Sequence, residues 1–304
     1  MAGTLAAILY FGLSPKQYQV HNSVRWLEDR PGLEFDGSGI AYLKEVPLLS
    51  GDTFSIQIAF APASPPADGF SLILMAHDGH DDTQLIIGQW RSTIIIMNGD
   101  DYDHSRRLPR VSFDTATLPA RDIFLSISSG LRGTRVQVNG ELVTARDDLI
   151  LRLPGEGKDP AGLILGNSVY ARHPWSGSLY GLAIYGEEIS TANTAQHYLD
   201  WTTETGFGIT GEEDPKILLT FDNPSAPRDP QLRRESHNLT IPDQVQGLRR
   251  QILRIGDGRG GDIGGFVQDI LLNLFGFMPF GFALCALMLA LTQRRVLLSL
   301  LLAI

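Results

Sequence analysis

The sequence predicts a mainly β chain, an antiparallel two-sheet sandwich followed by a transmembrane α-helix, on three observations. Between Arg25 and Trp201 the dominant period of apolar residues is two, the period of a strand with one face buried. Short Ile- and Leu-rich runs are separated by Gly, Asp and Pro clusters, and no helical pattern alternates with them, which disfavours a parallel α/β sheet. Ile270 to Leu291 then carries no formal charge, and roughly 22 residues at 1.5 Å rise cover a ~30 Å hydrocarbon core.

The elements follow in order. Phe54-Ser-Ile56-Gln-Ile58-Ala-Phe60, Ile123-Phe-Leu125-Ser-Ile127 and Val136-Gln-Val138 alternate strictly and read as half-buried strands. Ser71 to Met75, Gln84 to Gly88, Thr93 to Met97 and Gly162 to Gly166 are shorter apolar runs bounded by turn residues. Asn139-Gly140 lies between Val138 and Leu142-Val143, a two-residue hairpin signal because a type I′ turn needs positive φ at both central positions. Asn98-Gly99 marks a second turn, and one short helix is expected from Ser190 to about Tyr198.

At roughly 150 residues per domain, a chain of 304 residues holds about two folding units. With 43% hydrophobic and 19% charged residues, it is neither a disordered acidic tail nor a transporter of many spans. The net charge is −9. From Gly264 onward only Asp269, Arg294 and Arg295 are charged, so the preceding part holds 23 basic against 33 acidic residues. A surface of that sign, without a basic stripe, excludes nucleic acid as a partner. The one cysteine, Cys285, lies in the apolar run, so neither an intrachain disulfide nor a cysteine-built zinc site can form.

Gly276, Pro279 and Gly281 suit a membrane helix better than a soluble one. Arg294-Arg295 follow at once, and the positive-inside bias keeps them cytoplasmic, so the preceding residues face outward. Val296 to Ile304 and Leu5 to Leu13 are each only about half a span, and no Lys or Arg precedes Leu5 to form a signal-peptide n-region. The expected organisation is a partial membrane or signal-like segment at 1–15, a sandwich at 25–201, a Pro/Gly-rich connector at 202–265 and an incomplete membrane region at 266–304. Within the connector, Ile217-Leu-Leu-Thr-Phe221 could add a strand to the sandwich. Residues 16–265 are expected on the outer side of the membrane, with the lipid bilayer as one partner.

Five segments in sequence carry a resemblance. Gly32-Leu-Glu-Phe-Asp-Gly37, Phe54 to Ile58, Arg135 to Val143, Leu163-Ile-Leu-Gly-Asn167 and Trp175-Ser-Gly-Ser-Leu-Tyr-Gly-Leu-Ala-Ile-Tyr185 are similar to the successive strands of laminin-G-like, concanavalin-A-like jelly rolls. Asp269-Ile-Leu-Leu-Asn273 with Gly276-Phe-Met-Pro-Phe-Gly-Phe282 resembles the second transmembrane helix of the VanZ-like family. Leu5 to Pro15 is similar to the end of that family's first helix. The two resemblances together imply a sandwich inserted between membrane helices, and the second implies an association with low-level glycopeptide-antibiotic tolerance.

Catalytic patterns are incomplete. Glu34-Phe35-Asp36 begins the Glu-x-Asp-x-Glu strand of sandwich glycosidases, but Gly37-Ser38 follow and the second carboxylate of the acid/nucleophile pair is missing. The seven histidines are scattered and no Gly-x-Ser-x-Gly elbow accompanies them. Asp78 in His77-Asp78-Gly-His80-Asp81-Asp82, with Asp101 and Asp103 in Asp100-Asp101-Tyr102-Asp103-His104, offers oxygen ligands for calcium should the two turns meet. Solvated hairpin turns are the simpler reading. Trp90, Tyr102 and Trp175 are the candidate sugar contacts, since a flat ring packs on a pyranose face; core packing is the alternative for each. Asp269 and Asn273 share one face of the membrane helix, where Asn273 is deep enough to bond to another helix. The expected function is a membrane-anchored, non-catalytic module for a cell-wall or capsular glycan or a protein partner. A degenerate glycoside hydrolase and a structural spacer are the alternatives.

Overall fold

The computed structural model describes residues 20–43, 53–65, 68–154, 162–203, 214–222, 239–245 and 247, together with 281, 287–289 and 291–292 near the C-terminus. In chain order the strands are β1 (Val20–His21), β2 (Arg25–Trp26), β3 (Leu33–Asp36), β4 (Ala41–Leu43), β5 (Phe54–Pro62), β6 (Phe70–His77), β7 (Leu85–Trp90) and β8 (Thr93–Asn98). There follow β9 (Arg110–Asp114), β10 (Ile123–Gly130), β11 (Gly133–Val138), β12 (Glu141–Arg146), β13 (Gly162–Leu165), β14 (Ser176–Tyr185), helix α1 (Thr191–Thr203), β15 (Ile217–Leu219) and β16 (Gln244–Val245).

Two antiparallel sheets face each other. One runs β12-β11-β10-β5-β14-β3-β2 with β15 also against β14, and the other runs β4-β13-β6-β7-β8-β9. Their inward residues, among them Phe54, Ile56, Ile58, Phe60, Leu125 and Leu182 from the first and Leu74, Leu85, Ile87, Ile94, Ile96 and Phe113 from the second, form one apolar core. Burial of that order is the dominant favourable term in folding. A two-stranded ribbon joins β1 to β16, pairing Val20 with Val245 and His21 with Gln244.

The strands expected to be half-buried are buried on both faces. β5 and β10 have no exposed residue, because α1 lies on the outer side of their sheet. Ala59, Ala61, Phe124, Tyr180, Ala183, Tyr185 and Ile189 pack there with Tyr198 and Trp201. The alternating polar residues survive burial by bonding: Ser55 Oγ lies 2.8 Å from Ser128 Oγ and donates to Glu187 O, while His197 Nδ1 sits 3.0 Å from Gln57 Oε1. The helix extends five residues beyond Tyr198 to Thr203, which brings Trp201 over Phe124 at 5.7 Å.

Asn139 and Gly140 take φ of 53° and 80° and close the β11–β12 hairpin as expected; the Asn139 side chain also accepts from Phe124 N at 2.8 Å. Ile217–Leu219 pairs with β14, and Thr240 bridges to Tyr42, so connector residues complete both sheets. The segment Gln251–Ile304 is a separate unit. Among the described residues no helix is long and apolar enough to cross a membrane. Asp269, Asn273 and most of the run 270–291 lie outside the described residues.

Candidate functional site

A missing side chain organises the outer face of the six-stranded sheet. Gly88 in β7 leaves a gap that the Phe70 ring fills from the neighbouring strand; a Cβ at Gly88 would sit 2.3 Å from Phe70 Cζ. Glycine within a strand often marks such a close approach. Tyr102 packs on Phe70 at 5.3 Å between ring centroids, His173 meets Phe70 edge-on at 5.9 Å, and Tyr102 and His173 are 4.5 Å apart. Trp90 is paired with Phe70 across β6 and β7, so both side chains leave the same face of the sheet. Trp90 is 43% exposed, and the other three rings are half-buried.

Two loops deliver Tyr102 and His173, each wound around a buried polar side chain. In the loop after β8 the Asp101 carboxylate accepts from Arg106 N and Leu108 N at 2.9 Å each and from Arg110 Nη2 at 2.5 Å. Burial alone pushes the Asp101 carboxyl up, but those backbone N–H groups and the Arg110 charge outweigh it and hold it below the usual range. In the loop after β13, Asn167 Oδ1 accepts from Ser168 N and His173 N while its Nδ2 donates to Gly39 O. Ser168 Oγ accepts from Arg172 N at 3.0 Å. Both loops are therefore internally satisfied and rigidly placed.

The same surroundings set the protonation of the rings. Burial pushes the Tyr102 hydroxyl up to about 12, against the lowering effect of its 2.6 Å bond from Gln84 Nε2. Burial also lowers His173; the Phe70 carbonyl opposes this and the nearby Arg172 charge adds to it. His173 is thus an uncharged ring at neutral pH. Beside the rings, Tyr170 Oη donates to Asp81 Oδ1 at 2.8 Å and His77 Nε2 lies 3.2 Å from the same oxygen. Gly79 N donates to His77 Nδ1 at 2.9 Å, which places the ring proton on Nε2, toward Asp81.

Of the sequence candidates, Trp90 and Tyr102 come together on this face and Trp175 does not. Trp175 is 1% exposed and lies between the sheets, 5.8 Å from Phe35 and 6.3 Å from Phe60, with its indole N–H donated to Gln89 Oε1 at 2.7 Å. This corrects the expectation of a sugar contact there: a residue closed off by both sheets cannot touch a surface ligand. Asp78 accepts from His80 N and Thr83 Oγ1, Asp103 from Ser105 N, and Asp101 from its own loop, so each carboxylate serves its own turn. Among the described residues no group of three or more His, Cys, Asp or Glu side chains is arranged to hold a metal ion. Glu34 is bonded to Arg25, and Asp36 to Ser23 and Ser38. Phe70 and His173 escaped the sequence reading, although Gly88 inside an apolar strand was the signal for the first.

No family model matches the chain, and no curated protein matches it. The laminin-G-like and VanZ-like resemblances therefore have no family match behind them. Among solved structures, the receptor-binding domain of botulinum neurotoxin mosaic serotype C/D, with tetraethylene glycol and sulfate bound, is similar at 12% identity and a TM-score of 0.47, covering 59% of this chain and 44% of that one. The binding domain of botulinum neurotoxin DC in complex with rat synaptotagmin II gives 12%, 0.46, 59% and 45%. The CBM40 of a Ruminococcus gnavus IT-sialidase, bound to α2,3 sialyllactose, gives 12%, 0.42, 55% and 96%. The chain spans less than half the length of the neurotoxin domains it matches.

Proposed function

We propose that this chain is a non-catalytic, glycan-binding module of laminin-G-like jelly-roll type, displayed outward from a VanZ-like membrane region. The observation that carries the binding role is the platform of Phe70, Tyr102 and His173 with Trp90 exposed beside it. Flat, uncharged rings offer apolar faces to the C–H side of a pyranose, and the surrounding amides and hydroxyls orient its polar edge. Pre-positioned rings also reduce the ordering cost of binding. The absence of catalysis is supported by the carboxylates, since Glu34 and Asp36 share an outer face yet are engaged by Arg25, Ser23 and Ser38. Membrane display draws on the uncharged run 270–291 and the arginines after it, and a role in glycopeptide tolerance on family resemblance alone.

A second reading, docking of a protein, is favoured by the edge strand β12, where Leu142 and Val143 are 52% and 44% exposed and could accept an added strand. Binding of the full chain to an array of cell-wall and capsular glycans, with and without calcium, tests the first reading. Retention of one glycan class, weakened at least tenfold in Trp90→Ala, is the expected result. Failure across every class leaves only the protein-docking reading.

A further inference from the structure

We infer that the ligand of the aromatic platform is an anionic glycan, its sugar ring lying on the aromatic faces and its carboxylate or phosphate held by Arg107 and Arg172. This deepens the glycan-binding reading and rests on it. Among the described residues most arginines are ion-paired. Arg25, Arg30, Arg106, Arg110, Arg132, Arg135 and Arg146 each face a carboxylate. Arg91, Arg107 and Arg172 are exposed and have no carboxylate partner among the described residues. Arg121 and Arg152 are likewise unpaired but belong to other segments. A free guanidinium in a chain of net charge −9 is a bidentate donor available to an incoming oxyanion.

Arg107 and Arg172 belong to the two loops that deliver Tyr102 and His173, while Arg91 lies at the opposite end of the β7–β8 pair from the Arg107 loop. Arg91 follows Trp90 at the β7–β8 turn, and Gln89 Nε2 donates to its carbonyl at 2.6 Å. Arg172 precedes His173, and its charge is close enough to lower the protonation of that ring. Arg107 lies between Arg106 and Leu108, whose backbone N–H groups both bond to Asp101. These loops also hold most of the described non-glycine residues with left-handed backbone: Arg91 at φ 53°, His104 at 61°, Arg107 at 55° and Ala171 at 57°. Glycine would adopt these conformations at lower cost. Two of the neighbouring acids are already paired with other arginines. Asp100 is bonded to Arg106, Asp101 is buried with Arg110, Asp103 accepts from Ser105 N and Asp114 accepts from Ala116 N.

The test is calorimetric titration of the full chain with two panels of oligosaccharides. Uronic-acid oligosaccharides are measured beside their methyl esters, and hexose-6-phosphate oligosaccharides beside their dephosphorylated forms. The expected result is at least tenfold tighter binding of a charged member over its neutral partner at 0.15 M salt. The preference should shrink at 0.5 M and be lost in the double variant Arg107→Gln/Arg172→Gln, whose binding of the neutral form is unchanged. Preference in the uronate arm identifies a carboxylate, and in the phosphate arm a phosphate. Equal binding of charged and neutral partners overturns the anionic assignment and leaves the glycan-binding reading standing. A preference that survives the double variant overturns the role of these arginines, and no binding in either panel overturns the anionic assignment.

Discussion

Trp90 and Trp175 show how far one residue type can diverge with its surroundings. Trp175 fills the space between the sheets, so Trp175→Ala should cost about 3–5 kcal/mol of stability, read from urea denaturation. Trp90→Ala, at an exposed position, should stay within about 0.5 kcal/mol while weakening glycan binding. Tyr102 supplies a titration with a defined sign. Its hydroxyl is raised to about 12 in the fold, above the ordinary value of about 10. Its contribution to stability is therefore complete below pH ~10 and is lost as pH rises through the folded value. Phenolate absorbance should show Tyr102 ionising near pH 12, beside Tyr180, which burial also raises, and Tyr102→Phe should remove its share of that late rise. Asp101 has the opposite sign: its carboxyl is held below the usual range, so its stabilisation is present above pH ~3.9 and fades as pH falls through the lower, folded value. Asp101→Asn should remove that acid-sensitive component and lower hydrogen-exchange protection at Arg106 and Leu108.

At the scale of the element, two glycines separate stability from binding. A Cβ at Gly177 would lie 2.4 Å from Trp175 Cζ2 and 2.5 Å from the Ala61 carbonyl oxygen, both within the tightly packed core. Gly177→Ala should destabilise by about 1–3 kcal/mol. At Gly88 the obstruction is the far end of the Phe70 side chain, which can swing away. Gly88→Ala should leave the urea midpoint nearly unchanged and weaken glycan binding severalfold by displacing the ring. Strand periodicity made β5, β10 and β11 legible in the sequence, and the Asn139-Gly140 hairpin with them. β4 was not legible, because Tyr42 is covered by the distant Thr240 and all three strand residues are buried, which erases alternation. β9 was missed, although Val111 and Phe113 alternate with exposed Ser112 and Asp114. Half the site was legible too: Trp90 and Tyr102 stood out as aromatics beside turns. The partnership of Tyr102 with Phe70 and His173 joins residues 32 and 71 positions apart, which no local pattern encodes.

For the whole molecule, the proposed outward display of the sandwich makes a chemical prediction. Leu131 is 81% exposed and the chain's one cysteine lies in the apolar run. Leu131→Cys in a Cys285→Ser background should react with a membrane-impermeant maleimide in intact cells. Labelling only after lysis would place the sandwich in the cytosol. The ribbon of β1 and β16 has a mechanical consequence. The chain comes in at Val20 and goes out after Val245, which are direct partners at one end of an antiparallel pair. A force pulling those two segments apart would load the Val20–Val245 rung first and His21–Gln244 second, in series rather than in parallel. Tension of this kind would peel the ribbon open at low load, sparing the large sheets, and would act as a built-in mechanical fuse.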